Sequence, residues 1–301
     1  MRAWEVLSGS GVVGAGSRYP SSMTQKQPHV PRETITAFGE EVLGHYREHG
    51  RAMTWRETRD PYAVLVSEVM LQQTQVSRVE DKYAEFLAAF PDFDALASAP
   101  LAAVLDVWSG LGYNRRALNL KRLAEIVVAE HGGRLPEDPV VLATLPGIGK
   151  ATASAVATYA FGAYAPFIET NVRAVFLHHF FADAEDVPDS GLRPLVEETW
   201  DREDPRAWGY ALMDYGTHLK RTVANPSRRS RHHARQSRFE GSDRQARGAF
   251  LRALVRTGAL DSEVLGQEAG VDAPRAERIL EDLEREGFVV RETDGSWSVR
   301  D

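Results

Sequence analysis

The sequence predicts an all-α protein, a large helical body followed by a small winged-helix-like unit. Three observations predict it. Apolar residues recur at three- and four-residue intervals through most of the chain from Ile35 onward. Strand-like alternation is scarce before Phe288. Glycine and proline punctuate the periodic stretches at Gly50, Phe90-Pro91, Gly110 and Gly132-Gly133.

Taken in order, Ile35, Phe38, Val42 and Tyr46 share one helical face, and Gly50 stops that helix. Pro61 to Phe90 carries one long periodic pattern. Leu101–Trp108, Ala117–His131, Ala151–Phe161, Val172–Phe181, Leu192–Asp201 and Pro205–Lys220 complete the body. Residues 225–242, rich in Ser, Arg and His, form a basic linker or ordered loop. The unit 243–301 begins with a helix at Arg244–Thr257. Ser262–Ala269, Gly270 and Pro274–Glu286 then read as helix, turn, helix. Phe288–Arg291 and Trp297–Arg300 flank Asp294-Gly295 as a hairpin. The helix Pro274–Glu286 is acidic, so the unit reads equally as a DNA-binding or a protein-interaction module.

A hydrophobic share of 43% over 301 residues supports a sizeable core. The formal net charge is −7, yet Lys220 to Arg238 holds seven Lys or Arg and no acid, a local excess suited to an anionic partner. The chain has no cysteine, so disulfides, thiolate zinc sites and ordinary iron–sulfur clusters are excluded. No apolar run is long enough to span a membrane. Residues 1–30 are Gly/Ser-rich and aperiodic at first, with Met23 opening a Pro-containing lead-in. They are expected to be disordered and the protein cytosolic.

Three constellations carry chemistry. Leu145-Pro-Gly-Ile-Gly-Lys150 precedes the small-residue helix Ala151-Thr-Ala-Ser-Ala-Val-Ala157. Gly147 and Gly149 permit a sharp hairpin between helices, and with Lys150 they offer backbone N–H groups and charge to a phosphate at a helix N-terminus. Glu68 stands in Ser67-Glu-Val-Met-Leu-Gln-Gln-Thr-Gln-Val76. The amides there can bond base edges or fill the hole left by an extruded base. Glu169 precedes the periodic helix of Asn171-Val-Arg-Ala-Val-Phe176, with apolar Phe167 and Ile168 before it. It reads either as a first-turn helix charge or as a partly buried functional carboxylate.

Trp55-Arg56, Asp60-Pro61-Tyr62, the Ser67–Val76 string, Gly110-Leu-Gly-Tyr113, Arg116-Ala-Leu-Asn-Leu120, Leu145–Gly149, Asn171-Val172 and Met213-Asp214 together resemble the MutY adenine DNA glycosylases of the endonuclease III-like helix–hairpin–helix superfamily. The resemblance spans roughly residues 35–220. It implies two helical subdomains with a cleft between them, one from about residues 60–160, the other joining the N-terminal helix to 165–220. It implies that Glu68 is the acid that protonates the departing adenine at N7, since a neutral purine leaves more easily than an anion. Glu169 then stands where the family has an Asp that stabilises the oxocarbenium sugar, and Asn171 where an Asn orders that site. Gln73 and Tyr113 match residues that enter the duplex, Thr74 one that touches the orphaned base. Trp55, Arg56, Leu71 and Gln72 fall in the segments around the base pocket. The partner implied is double-stranded DNA with a mismatch or an oxidised base, bound in the nucleoid by a monomer.

Four departures stand out. Glu169 is one methylene longer than the family's Asp. Ala151 occupies the place of the Schiff-base Lys of bifunctional lyases, so a monofunctional glycosylase is expected. Lys220 stands at the first cluster-cysteine position, and no iron–sulfur cluster or other cofactor is expected beyond a monovalent cation at the hairpin. The loop after it is expected to do the cluster's work, with Arg228, Arg229 and Arg231 gripping phosphates and Phe239 pinning the loop; the alternative is a solvated linker. Finally, the family's C-terminal domain, which helps read 8-oxoguanine, is replaced by the short helical unit. A mismatch uracil or thymine glycosylase and a non-catalytic lesion-binding protein stay open as alternatives.

Overall fold

The computed structural model describes residues 30–233 and 238–301. The segment expected to be disordered lies, apart from Val30, outside the described residues. The chain runs through α1 (Arg32–His49), α2 (Thr54–Glu57), α3 (Pro61–Leu71), α4 (Val76–Ala89), α5 (Phe93–Ser98), α6 (Leu101–Val107), α7 (Arg115–His131), α8 (Pro139–Leu142) and α9 (Lys150–Phe161). It continues with α10 (Thr170–Phe180), α11 (Asp189–Thr199), α12 (Pro205–Thr222) and a 3-10 turn at Pro226–Arg229. The last unit comprises α13 (Asp243–Thr257), β1 (Ala259–Leu260), α14 (Ser262–Ala269), α15 (Ala273–Glu286), β2 (Val289–Arg291) and β3 (Trp297–Val299).

Short acids start many of these helices. The Asp60 carboxylate accepts from the Ala63 N–H at 3.0 Å just ahead of Pro61, and Asp92, Asp138, Asp204 and Asp272 cap α5, α8, α12 and α15 likewise. Each such cap is worth about 1 kcal/mol. Helix α3 is the hub of the body. Tyr62 to Ser67, Val69 and Met70 are all buried, because α2, α4, α7 and α9 pack around it. The small residues Ala153, Ala155 and Ala157 let α9 come close. Helices α1, α10, α11 and α12 form the second subdomain, and α12 meets α9 where the two join.

The single periodic run Pro61–Phe90 turns out to be two helices, broken at Gln72–Gln75. The break has a physical cause. Arg116, buried on α7, donates through Nη1 to the carbonyls of Val69, Met70 and Gln72 at 2.9, 2.7 and 2.7 Å. It takes up the carbonyls that a helix end leaves unpaired.

The C-terminal unit has the helix–turn–helix and hairpin that the sequence suggests. It also has β1, a two-residue strand too short for periodicity to reveal, which makes an antiparallel sheet of order β1-β3-β2. The unit packs α13 on α6. Glu286 at the end of α15 bonds Arg115 of α7 at 2.6 Å and Arg247 of α13 at 2.5 Å, and Arg122 donates to its carbonyl at 2.9 Å.

The start of the supposed linker belongs to the body. Pro226 and Ser227 are buried, Ser227 Oγ donates to the Thr170 carbonyl at 3.2 Å, and Val187 and Ser230 form a parallel bridge. Among the described residues no helix is long and apolar enough to cross a membrane.

Candidate active site and DNA interface

Glu68 emerges from the apolar α3 toward the junction of the two subdomains, and its carboxyl is half-buried. It has no hydrogen-bond partner among the described residues. Burial pushes its pKa up to about 7, with the Glu169 carboxylate adding to the rise and the Arg56 guanidinium opposing it. The Glu68 and Glu169 carboxyls therefore lie close enough for their charges to interact. Arg56 is held there by two 2.8 Å bonds to Asp214 and lies 4.4 Å over the Tyr210 ring. Tyr210 stacks on Tyr159 at 4.2 Å. This aromatic wall and the Arg56–Asp214 pair are carried by residues far apart in sequence, so only the Met213-Asp214 and Trp55-Arg56 motifs hinted at them. Trp55 is corrected: it is 2% exposed and packs edge-on against Tyr83 at 5.6 Å, in the core and not in a base pocket. Leu71 is also largely a packing residue, half-buried against the core.

Glu169 caps α10. Its Oε1 accepts from the N–H groups of Asn171 at 2.5 Å and Val172 at 2.8 Å, while Oε2 takes the Asn171 side-chain amide at 3.2 Å. Burial raises its pKa, and the two N–H bonds with the Lys220 and Arg173 charges hold it back. Asn171 is fixed in turn by Thr217, whose Oγ1 donates to Oδ1 at 3.3 Å. A Cβ at Gly216 would overlap the Asn171 carbonyl, so glycine lets α12 press on this helix start. Lys220, one turn further along α12, is half-buried, and that burial lowers its pKa against the pull of Glu169.

The segments expected to enter DNA form two adjoining loops, 72–75 and 109–114. Gln73 and Tyr113 have φ of 55° and 50°, two of three left-handed non-glycine residues among those described. Both are exposed. Such backbones are uncommon away from functional positions and cost of order 1–3 kcal/mol. Arg116 binds the loops together, donating through Nη2 to Thr74 Oγ1 at 2.9 Å, Leu111 O at 3.2 Å and Gly112 O at 3.0 Å. Gln72 donates from its amide to Thr152 Oγ1 at 3.2 Å, tying the first loop to α9. Arg116 was visible in the sequence only as part of a motif. Its role as the clasp needs the third dimension.

In the hairpin, Gly147 has φ 77°, and a Cβ there would lie 2.8 Å from Asn119 Cβ. Gly149, Lys150 and Ala151 are exposed at the start of α9, where a helix N-terminus attracts phosphate. The expected three-arginine grip is corrected at Arg229. Arg229 donates to the carbonyls of Leu177 and Ala182 at 2.7 and 3.0 Å, and Arg231 pairs with Asp186. Arg229 thus serves the fold, while Arg231, in an exposed ion pair, and Arg228 stay at the surface. Phe239 does not pin the loop, being 57% exposed. Among the described residues no group of His, Asp or Glu has the geometry to hold a metal.

Residues 66–199 match the HhH-GPD superfamily of base excision DNA repair proteins. An adenine DNA glycosylase of Mycobacterium tuberculosis is 31% identical over 311 aligned positions, covering 90% of this chain and 98% of that protein. One from Buchnera aphidicola is 36% identical over 148 residues, covering 49% of this chain and 42% of the relative. A solved thermostable thymine-DNA glycosylase is 28% identical with a TM-score of 0.57, over 61% of this chain and 86% of that one. The chain is a DNA-binding N-glycosylase of base excision repair, and it belongs to the adenine DNA glycosylases of the HhH-GPD superfamily.

Proposed function

We propose that this enzyme hydrolyses the N-glycosidic bond of adenine mispaired with 8-oxoguanine or guanine in double-stranded DNA. The observation that carries the reading is the pair Glu68 and Glu169 within electrostatic reach of each other, with Glu68 poised to hold a proton near neutral pH. Glu68 gives its proton to N7 of the extruded adenine. The C1′–N9 bond then breaks with its electrons going to the base, which leaves neutral. The Glu169 carboxylate offsets the positive charge on the sugar, and water adds at C1′, releasing a proton to solvent. Gln73 and Tyr113 fill the gap in the duplex.

The thymine-DNA glycosylase likeness favours one rival, excision of thymine or uracil opposite guanine. Single-turnover assays on A·8-oxoguanine, A·G, U·G and T·G duplexes separate the two. Excision confined to the last two overturns the adenine reading. We further propose that the enzyme is monofunctional, because Ala151 offers no amine. Product strands should stay intact until alkali, and borohydride should trap no adduct. Stoichiometric trapping on Lys150 or Lys220 would refute this. The packed segment Asn225–Ser230 takes, in this proposal, the structural place of the cluster loop.

A further inference from the structure

Buried polar groups normally find a partner. Two donors near Glu68 do not. The Tyr159 hydroxyl and the Arg56 Nε–H are buried with no hydrogen-bond partner among the described residues. Arg56 uses its other nitrogens on Asp214 and on the Arg51 carbonyl, whereas Tyr159 has only the one hydroxyl to offer. Leaving a buried hydroxyl unpaired is costly. Phenylalanine would fill almost the same volume without that cost.

The fold nevertheless holds this hydroxyl firmly. Tyr159 lies on α9 and is 1% exposed. Its ring stacks on Tyr210, with centroids 4.2 Å apart and planes 6° from parallel. Phe167, two residues before Glu169, meets it edge-on at 5.8 Å. On α12, a Cβ at Gly209 would lie 3.0 Å from Tyr159 Cε1 and 3.2 Å from its hydroxyl oxygen, so glycine there leaves room for the polar end of the ring. The phenol thus stands where α9, α12 and the approach to Glu169 meet.

Within electrostatic reach of Glu68 lie Arg56 of α2, Tyr159 of α9, Tyr210 of α12 and Glu169 ahead of α10. Of the other helices against α3, α4 brings Tyr83, whose hydroxyl donates to the Ala63 carbonyl at 3.3 Å. Helix α7 brings Arg116, engaged by the carbonyls at the end of α3. Burial, and then the Glu68 charge, raise the Tyr159 pKa well above the phenol range. The hydroxyl therefore keeps its proton and can serve a carboxylate only as a neutral donor.

We propose that Tyr159 is a positioning residue for Glu68, its hydroxyl donating to the carboxylate that forms as Glu68 gives its proton to the base. The proposal rests on the glycosylase reading with Glu68 as the acid, and adds a group from α9 to it. No proton leaves Tyr159. The hydrogen bond strengthens as negative charge builds on Glu68, so it favours the transition state over the resting acid.

The test measures single-turnover base release by the full chain carrying Tyr159→Phe, from about pH 5 to 9, on the mismatched duplex that the wild type processes fastest. Losing the donor makes Glu68 a weaker acid. The falling limb should move up by about one pH unit, the scale of one hydrogen bond to a charged group. The rate on the plateau below it should fall roughly three- to tenfold. The variant should melt no lower than wild type, because an unpaired buried hydroxyl has been removed. A slower enzyme that is no less stable, with its limb displaced upward, is not what a packing ring produces. A limb that stays in place or moves down would overturn the proposal, whatever the plateau does. A limb that survives Glu68→Gln would overturn it together with the role of Glu68. Failure of the glycosylase reading shows separately, as no base release by the wild-type chain from any of the mismatched duplexes.

Discussion

Glu68 and Glu169 share a side chain and lie within electrostatic reach of each other, but the fold holds them in different ways. Glu68 projects from the most buried helix of the protein and has no hydrogen-bond partner among the described residues, so its charge is poorly supported. Glu169 stands at a helix start and takes three N–H bonds, two from backbone and one from Asn171. The first arrangement favours a neutral acid with a proton to give. The second partly offsets the rise in pKa that burial causes, because N–H donors and the helix N-terminus both stabilise negative charge. In the proposed mechanism two identical residues take acid and anion roles according to their surroundings.

The contrast can be sharpened most by Glu68→Gln. Removing the transferable proton should slow single-turnover excision at least a hundredfold, the low end for a general acid, while DNA affinity stays within a few-fold. Excision at the wild-type rate would take Glu68 out of the mechanism. At Glu169 the charge matters more than the shape. Glu169→Gln should cost roughly a hundredfold in excision, as loss of about 3 kcal/mol of electrostatic stabilisation implies, and Glu169→Asp should cost less. A Gln variant as fast as wild type would reduce Glu169 to a helix cap.

The pH profile tests which carboxyl gives the proton. With Glu68 poised at about 7, the competent acid is its neutral form. Single-turnover excision should fall about tenfold per pH unit above that value, and Glu68→Gln should abolish this limb. A falling limb that survives in Glu68→Gln would assign it to another group.

Stability should separate the pair by sign. The Glu68 carboxyl is raised from 4.5 to about 7 by folding, so the folded state keeps a proton that the unfolded state has lost. Stability is therefore lost as pH rises between those values, and Glu68→Gln should melt higher than wild type above pH 7. Glu169→Ala removes an N-cap and should melt lower, by the equivalent of about 1 kcal/mol. Equal and same-sign shifts would mean that the two carboxyls are not held differently.

Much of the fold and site was legible locally. The helix periods, the glycine turn Leu145–Gly149, the winged-helix pattern and the two glutamates depend on spacing within a dozen residues. What escaped depended on partners far away. The run Pro61–Phe90 looks continuous because nothing nearby signals that Arg116 will take the carbonyls of Val69, Met70 and Gln72. Trp55 looks like a site residue until Tyr83 is seen against it. The basic segment after Lys220 looks like a phosphate grip, but Arg229 and Arg231 are engaged by the Leu177 and Ala182 carbonyls and by Asp186.

By itself, then, the sequence determined the helical class, the family motifs, the absence of thiolate chemistry and the positions of both carboxyls. These follow from periodicity, composition and short-range backbone geometry, which neighbouring residues control. Only the tertiary structure decided which charges face solvent and which carboxyl is left without a hydrogen-bond partner among the described residues. It also decided that α13, and not the acidic helix α15, borders the wedge loops. Those outcomes turn on desolvation and on pairing across more than a hundred residues, as between Arg56 and Asp214 or Arg244 and Tyr113. Such energies do not exist until the chain has closed on itself.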